Sequence, residues 1–186
     1  MTISRFSFLI LGFLFTLISC SLPGTQTEIK VDGSSQYVGT GFSISYPTTW
    51  NEVKNTDLPH PYRGMIVFAR VSPEIKYGFS QNMLVMQDSL DIPVTSLSYS
   101  EKNNIQTTKN YLEYTKLQDD TISFNDSDTS RVYIFEARYN TTSQRMKFLQ
   151  TAKVCGTKVF VLHITLGLDK DPAKYKELFS TFHCGK

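Results

Sequence analysis

The chain has 186 residues, a formal net charge of +2, 19% charged residues and 13% aromatic residues. No run of five like charges occurs, so nothing in it suits nucleic acid. Phe and Tyr dominate the aromatics, which favours a β-rich core, and the length suits one domain.

Arg5 precedes an apolar run from Phe6 to Ile18, and small residues and Cys20 follow. That is the order of a secretory signal peptide. The run is too short to span a bilayer: about 13 helical residues reach roughly 20 Å, against ~30 Å of hydrocarbon. Leu17-Ile18-Ser19-Cys20 resembles a bacterial lipobox. That resemblance implies a diacylglycerol on the Cys20 sulfur and cleavage just before it. It divides the chain into a signal peptide over 1–19, a flexible tether over 20–36 and a folded domain over 37–186. An ordinary cleaved signal with a chance cysteine, or an uncleaved N-terminal helix, is the alternative. Two or three acyl chains on one cysteine form a stable anchor, where a single chain binds only reversibly. Ser21–Gln36 is small and polar, as a tether would be.

From Tyr37 the pattern alternates. Phe42, Ile44 and Tyr46 predict a half-buried strand, ended by Pro47. A short strand follows at Val53, then a proline-bearing loop over Asn55–Arg63. Met65–Val71 and Phe79–Asp88 read as strands. The period changes after Pro93. Val94, Leu97, Glu101, Ile105 and Thr108 predict a helix from Val94 or Leu97 to Asn110, with Ser98 and Glu101 in capping-box form. Leu112–Leu117 returns to strand, and Gln118–Ser130 reads as an acidic loop with a short strand at Ile122–Phe124. Arg131–Asn140, Arg145–Val154 and Lys158–Leu166 form three strands joined by hairpin-length connections. Asp171 and Pro172 open a last helix, whose Tyr175, Leu178, Phe179 and Phe182 make one apolar stripe that must lie on the sheet. The sum is an α+β domain with a central antiparallel sheet covered by helices.

Two cysteines remain beyond Cys20. Cys155 ends a strand at a hairpin. The next strand runs about 30 Å away and the last helix returns some 18–20 Å, so Cys184 comes within plausible reach. A Cys155–Cys184 disulfide is expected; two separate buried thiols are the alternative. His60 reads as a solvent-exposed loop residue, His163 as a satisfied sheet residue, and His183 as a helix-end cation. A catalytic pair of Cys184 and His163 is a weak alternative. Asp119, Asp120, Asp126 and Asp128 invite a calcium reading, but EF-hand spacing and its glycine are absent, so a solvated turn is preferred. No nucleophile elbow or dinucleotide fingerprint occurs.

The segment Gly41–Trp50, GFSISYPTTW, resembles the opening of the Mog1/PsbP-like fold through Phe42, Ile44, Tyr46, Pro47 and Trp50. The mid-chain helix, the GTKVFVLHITL hairpin and the YKELFSTF helix resemble its later elements. The resemblance implies an α/β/α sandwich with the C-terminal helix packed on the sheet, and accessory binding in place of catalysis. The expectation is a lipid-anchored envelope protein, held to the membrane through Cys20, that binds another envelope protein. It needs no cofactor and is not an enzyme. The alternatives are a lipoprotein that binds a small ligand or calcium, and an envelope enzyme whose residues converge from distant loops.

Overall fold

The computed structural model describes residues 31–54, 58, 61 and 63–185. Cys20, with the signal peptide and anchor assigned there, and the loop residue His60 lie outside the described residues.

Ten strands and two helices follow one another among the described residues. They are β1 (Ser34–Gly39), β2 (Phe42–Pro47), β3 (Asn51–Glu52), β4 (Met65–Lys76), β5 (Phe79–Ser89), α1 (Ser96–Asn110) and β6 (Leu112–Ser123). Then come β7 (Thr129–Arg138), β8 (Met146–Cys155), β9 (Lys158–Leu166), α2 (Ala173–Ser180) and β10 (His183–Cys184). A seven-stranded sheet runs β3-β4-β5-β9-β8-β7-β6, and a three-stranded sheet runs β1-β2-β10. Every pairing is antiparallel.

The large sheet has two unlike faces because side chains alternate along each strand. Phe160, Leu162 and Ile164 of β9 join Met83 and Val85 of β5 and Leu149 of β8 in the main core. Against them pack α2, through Tyr175, Leu178 and Phe179, and the small sheet, through Phe42 and Ile44. The expected α2 stripe is buried, with Phe179 and Phe182 fully so. Asp171 Oδ1 accepts from the Ala173 N–H at 3.0 Å, which starts α2. Phe42 stacks on Phe182 at 5.4 Å between ring centroids, and Phe160 lies 5.1 Å from Phe42. This face is therefore covered by a helix and a second sheet together, where helices alone were expected. Arg70 of β4 fixes the small sheet from below. Its guanidinium lies 4.8 Å from the Tyr46 ring centroid and 5.7 Å from that of Tyr37, and pairs with Glu52 at 3.4 Å.

Several expectations are corrected. The tether boundary at Gln36 falls inside β1, because Ser34 already pairs with Pro47. Polar, uncharged residues conceal an edge strand there. The acidic segment Gln118–Ser130 is mostly strand. β6 continues to Ser123 and pairs with β7 through Ser123↔Thr129. It is an edge strand whose exposed side needs no apolar residues, so the apolar pattern stops before the strand does. β10 has no counterpart among the expected elements. His183 sits in it opposite Ser43, away from a helix end.

α1 departs most from expectation. Its cap is Thr95, whose Oγ1 accepts from the Ser98 N–H at 3.1 Å; Ser98 and Glu101 form no capping box. Leu97 and Ile105 face water, while Ser96, Ser100 and Thr107 are buried. The cause lies in the sheet. The β7–β8 register runs only from Ala137↔Met146 to Tyr133↔Gln150. Beyond it the first turns of α1 supply the missing partners. Ser96 Oγ accepts from the Val154 N–H at 2.8 Å, and Ser100 Oγ accepts from the Arg131 N–H at 3.1 Å. Buried strand amides need partners, so the buried face of this helix is polar.

Candidate binding surface

α1 covers only part of the second face of the large sheet, mainly over β7 and β8, where its Tyr99 packs on the cluster of Ala152, Val159 and Val161; Tyr133, Phe135 and Phe148 cluster with Tyr111 and Tyr114, just past the helix. The remainder, over β5, β9 and the near edge of β8, forms an open groove of about 590 Å³. Its floor follows from register. Asn82 lies beside Thr165, and Thr165 beside Phe148; Leu84 lies beside His163, and His163 beside Gln150. Ile66 and Met86 extend the floor toward β4, and Tyr111 and Tyr139 form a wall. Thr107 of α1 donates to Gln150 Oε1 at 2.7 Å, which fixes the amide at the helix boundary.

The groove is apolar and uncharged. No Asp, Glu, Lys, Arg or Cys lines it among the described residues. Burial pushes the His163 imidazole down to about 4 from 6.5, so it is neutral near pH 7. Its ring sits 5.5 Å from that of Phe148. Burial, with Tyr139 nearby, raises the Tyr111 phenol far above its ordinary value. Apolar walls with a few placed amides and hydroxyls suit recognition of a neutral, largely apolar group. They do not suit proton transfer or nucleophilic attack.

His163 gives this surface a pH signature. Its folded value lies below its unfolded value, so the unfolded chain binds the proton first. Stability is fully present above about pH 6.5 and falls as pH drops toward 4. The expected loss at pH 4.5 is roughly 2–3 kcal/mol. Urea unfolding across that window checks it, and His163→Gln should flatten the slope. An unchanged slope in the variant would assign the titration elsewhere.

The other candidate residues lie apart from the groove. Cys155 and Cys184 are bonded, with Cα atoms 5.7 Å apart, beside the main core on the opposite face from His163. The weak Cys184–His163 reading is thereby excluded, since Cys184 has no free thiol. The acidic residues are not gathered for a metal. Asp119 pairs with Lys116 and Asp120 with Lys176, each at 2.8 Å. Asp126 and Asp128 share the ammonium of Lys153, at 2.7 and 2.8 Å. A buried lysine thus stands where calcium would have to bind, and no cluster of metal-ligating groups occurs among the described residues. Millimolar calcium is expected to leave Tm unchanged; a calcium-dependent rise would contradict this arrangement.

The sequence carries a trace of the groove. Asn82, Leu84 and Met86 alternate visibly, and the helix expected to cover them has a thin apolar stripe. No sequence pattern shows that α1 lies mainly over β7 and β8. Among the described residues no helix is long and apolar enough to cross a membrane.

No protein-family model matches the chain, and no curated protein matches it significantly. Solved structures do. The Ran-binding protein Mog1p of Saccharomyces cerevisiae superposes with a TM-score of 0.55 at 12% identity, covering 83% of this chain and 96% of that one. Cyanobacterial PsbP from Synechocystis gives 0.55 at 13% identity, covering 88% and 99%. A protein of unknown function from Pseudomonas aeruginosa gives 0.55 at 10% identity, covering 82% and 98%. At such identities the likeness speaks for architecture alone, and the chain has a Mog1/PsbP-like fold.

Proposed function

We propose that this chain is an extracytoplasmic lipoprotein, anchored to a bacterial envelope membrane through Cys20, whose domain binds another envelope protein without catalysing a reaction. The observation that carries the binding role is the uncharged apolar groove over β5, β9 and β8. It is lined mostly by apolar side chains, with few acid–base groups, and exposes apolar surface that a partner can cover. The yeast neighbour is a Ran-binding protein, which is consistent with protein recognition on this fold. The lipobox residues Leu17–Cys20 carry the anchor reading, and a disulfide fits an exported chain.

Growth with an alkyne fatty acid tests the anchor. Label is expected on the native chain and absent from Cys20→Ala, which should also leave the membrane fraction. Label on both would overturn it. Leu84→Arg places a charge in the groove and is expected to abolish recovery of the partner without lowering Tm. Unaltered recovery would remove the groove from the function. A second reading, a small apolar ligand in the groove, is favoured by its volume, since ligand sites span about 300–1,000 Å³. Native mass spectrometry of the purified protein separates the two.

A further inference from the structure

The β4–β5 hairpin ends in a two-residue turn, with Lys76 paired to Phe79 across it. Tyr77 and Gly78 have φ of 55° and 74°. Both are left-handed, as a type I′ turn requires. Asn, Asp or Gly is the ordinary choice at the first position, and a bulky residue there is strained. Here a tyrosine takes it and stands 86% exposed, with Ile75 beside it at 73%. The ring meets the Lys76 ammonium, 5.6 Å from its centroid, and otherwise stands outward at a conformational cost.

The surroundings extend the feature. The cleft beneath the turn is lined by Tyr77, Leu168 and Met146, so the β4–β5 turn, the loop after β9 and the start of β8 share one end of the sheet. Leu168 is 45% exposed and Tyr139, just before the β7–β8 loop, is 67% exposed. Ile75, Tyr77 and Leu168 are therefore three exposed apolar or aromatic side chains near the tip, while Tyr139 follows β7, several strands away, on the groove side. Two ion pairs lie among them, Lys76 with Asp169 at 2.8 Å and Lys170 with Glu74 at 3.9 Å, while the Lys147 ammonium donates to the Leu168 and Lys170 carbonyls at 2.9 and 2.7 Å.

The same end receives the chain from Cys20. Val31, Gly33 and Ser34 line a second cleft together with Glu74, Lys170 and Lys174. Only ten residues separate Cys20 from Val31. Fully extended, that stretch spans at most about 40 Å. The chain enters the domain at this end, opposite the disulfide, so a lipid on Cys20 tethers this end within about 40 Å of the bilayer.

We infer that the hairpin tip, Ile75 and Tyr77 with Leu168 beside it, rests in the interface of the membrane that holds Cys20. Tyrosine suits that depth, with its ring among acyl chains and its hydroxyl at the headgroups. The contact orients the domain, leaving the disulfide end pointing away from the lipid. Phosphatidylcholine carries no net charge, so the contact of the tip with it is apolar and independent of salt. This rests on the anchor reading, and the test separates the two.

Tyr77→Trp puts an indole at the tip, read as the difference from the native chain with its buried Trp50. The full chain, with Cys20 intact, is reconstituted in vesicles that contain phosphatidylcholine brominated on its acyl chains. The added emission is expected to be largely quenched, equally at low and high salt. An indole placed by Ile105→Trp on the outer face of α1 should keep its emission. A chain that floats with the vesicles while the tip indole stays unquenched overturns the inference and leaves the anchor standing. Equal quenching at both positions overturns it as well. Where the chain does not float, the anchor reading fails by itself. The Tyr77→Trp/Cys20→Ala chain is then titrated with the same vesicles: quenching upholds the tip contact, and its absence overturns it. Tyr77→Asn supplies the ordinary turn residue, so it should hold or raise Tm while the Ile75→Trp reporter loses its quenching. Retained quenching there would contradict a role for Tyr77.

Discussion

Lys153→Ala is expected to lower the stability of the domain by about 3–5 kcal/mol, among the largest losses any single substitution should cause here. The side chain is 2% exposed, and its ammonium lies 2.7–2.9 Å from both oxygens of Asp126 and 2.8 Å from Asp128. The ring of Phe124 sits 4.9 Å away. These contacts bind β8 to the turn between β6 and β7. Ser96 carries the linkage into α1 by donating to Asp128 at 2.5 Å. Removing the lysine leaves two carboxylates facing each other without a counter-charge. Both are partly solvated, which places the loss toward the lower end of the range. Urea unfolding at neutral pH measures it, and a loss below about 1 kcal/mol would mean the pair is no more than a surface ion pair. Adding Asp126→Asn and Asp128→Asn to Lys153→Met should recover much of the loss, because the pair is then removed whole.

The same cluster sets the acid limb. Burial works to raise the Asp128 carboxyl, but hydrogen bonds from Lys153 and Ser96 outweigh it and the net shift is downward. A folded value below the unfolded one adds stability above the unfolded value, near 4, and loses it as pH falls through the folded value. This window lies below that of His163, so the two are separable in one pH series.

Breaking the Cys155–Cys184 bond should lower stability by about 3–4 kcal/mol, for a loop closed across 29 residues. Local structure explains why β10 needs the link. It pairs with β2 through only His183↔Ser43 and Cys184↔Phe42, with one further bond from the Gly185 N–H to the Gly41 carbonyl at 2.9 Å. Phe182, fully buried against Phe42 and Phe160, depends on that short strand staying in place. Unfolding with and without reductant measures the loss. Hydrogen exchange should show β10 opening first in the reduced chain. Equal midpoints in both states would mean the strand holds without its covalent link.

Strands with alternating or continuous apolar runs are legible in the amino-acid sequence. β2, β5, β7, β8 and β9 are examples, because burial on a period of two leaves a clear trace. α2 is legible for the same reason at the helical period. β6 between Leu117 and Ile122 is not, since an edge strand exposes one side there; only its end, where Ile122 enters the main core, leaves a trace. α1 is legible as a helix, yet its buried face is not. Leu97 and Ile105 look like a stripe, while the true contact is made by serines that complete a broken ladder between β7 and β8. Asp126 and Asp128 read as a solvated turn, yet they hold Lys153, twenty-five residues from Asp128 and brought there only by the fold. The groove needs the placement of α1, which no local pattern encodes.

The most direct test of the binding role is photo-cross-linking in living cells from a reactive residue at Leu84, in the groove, and at Ile105, on the outer face of α1. The account predicts one discrete envelope-protein adduct from Leu84, none from Ile105, and loss of the adduct in Cys20→Ala. No adduct from Leu84, or the same adducts from both positions, would contradict it.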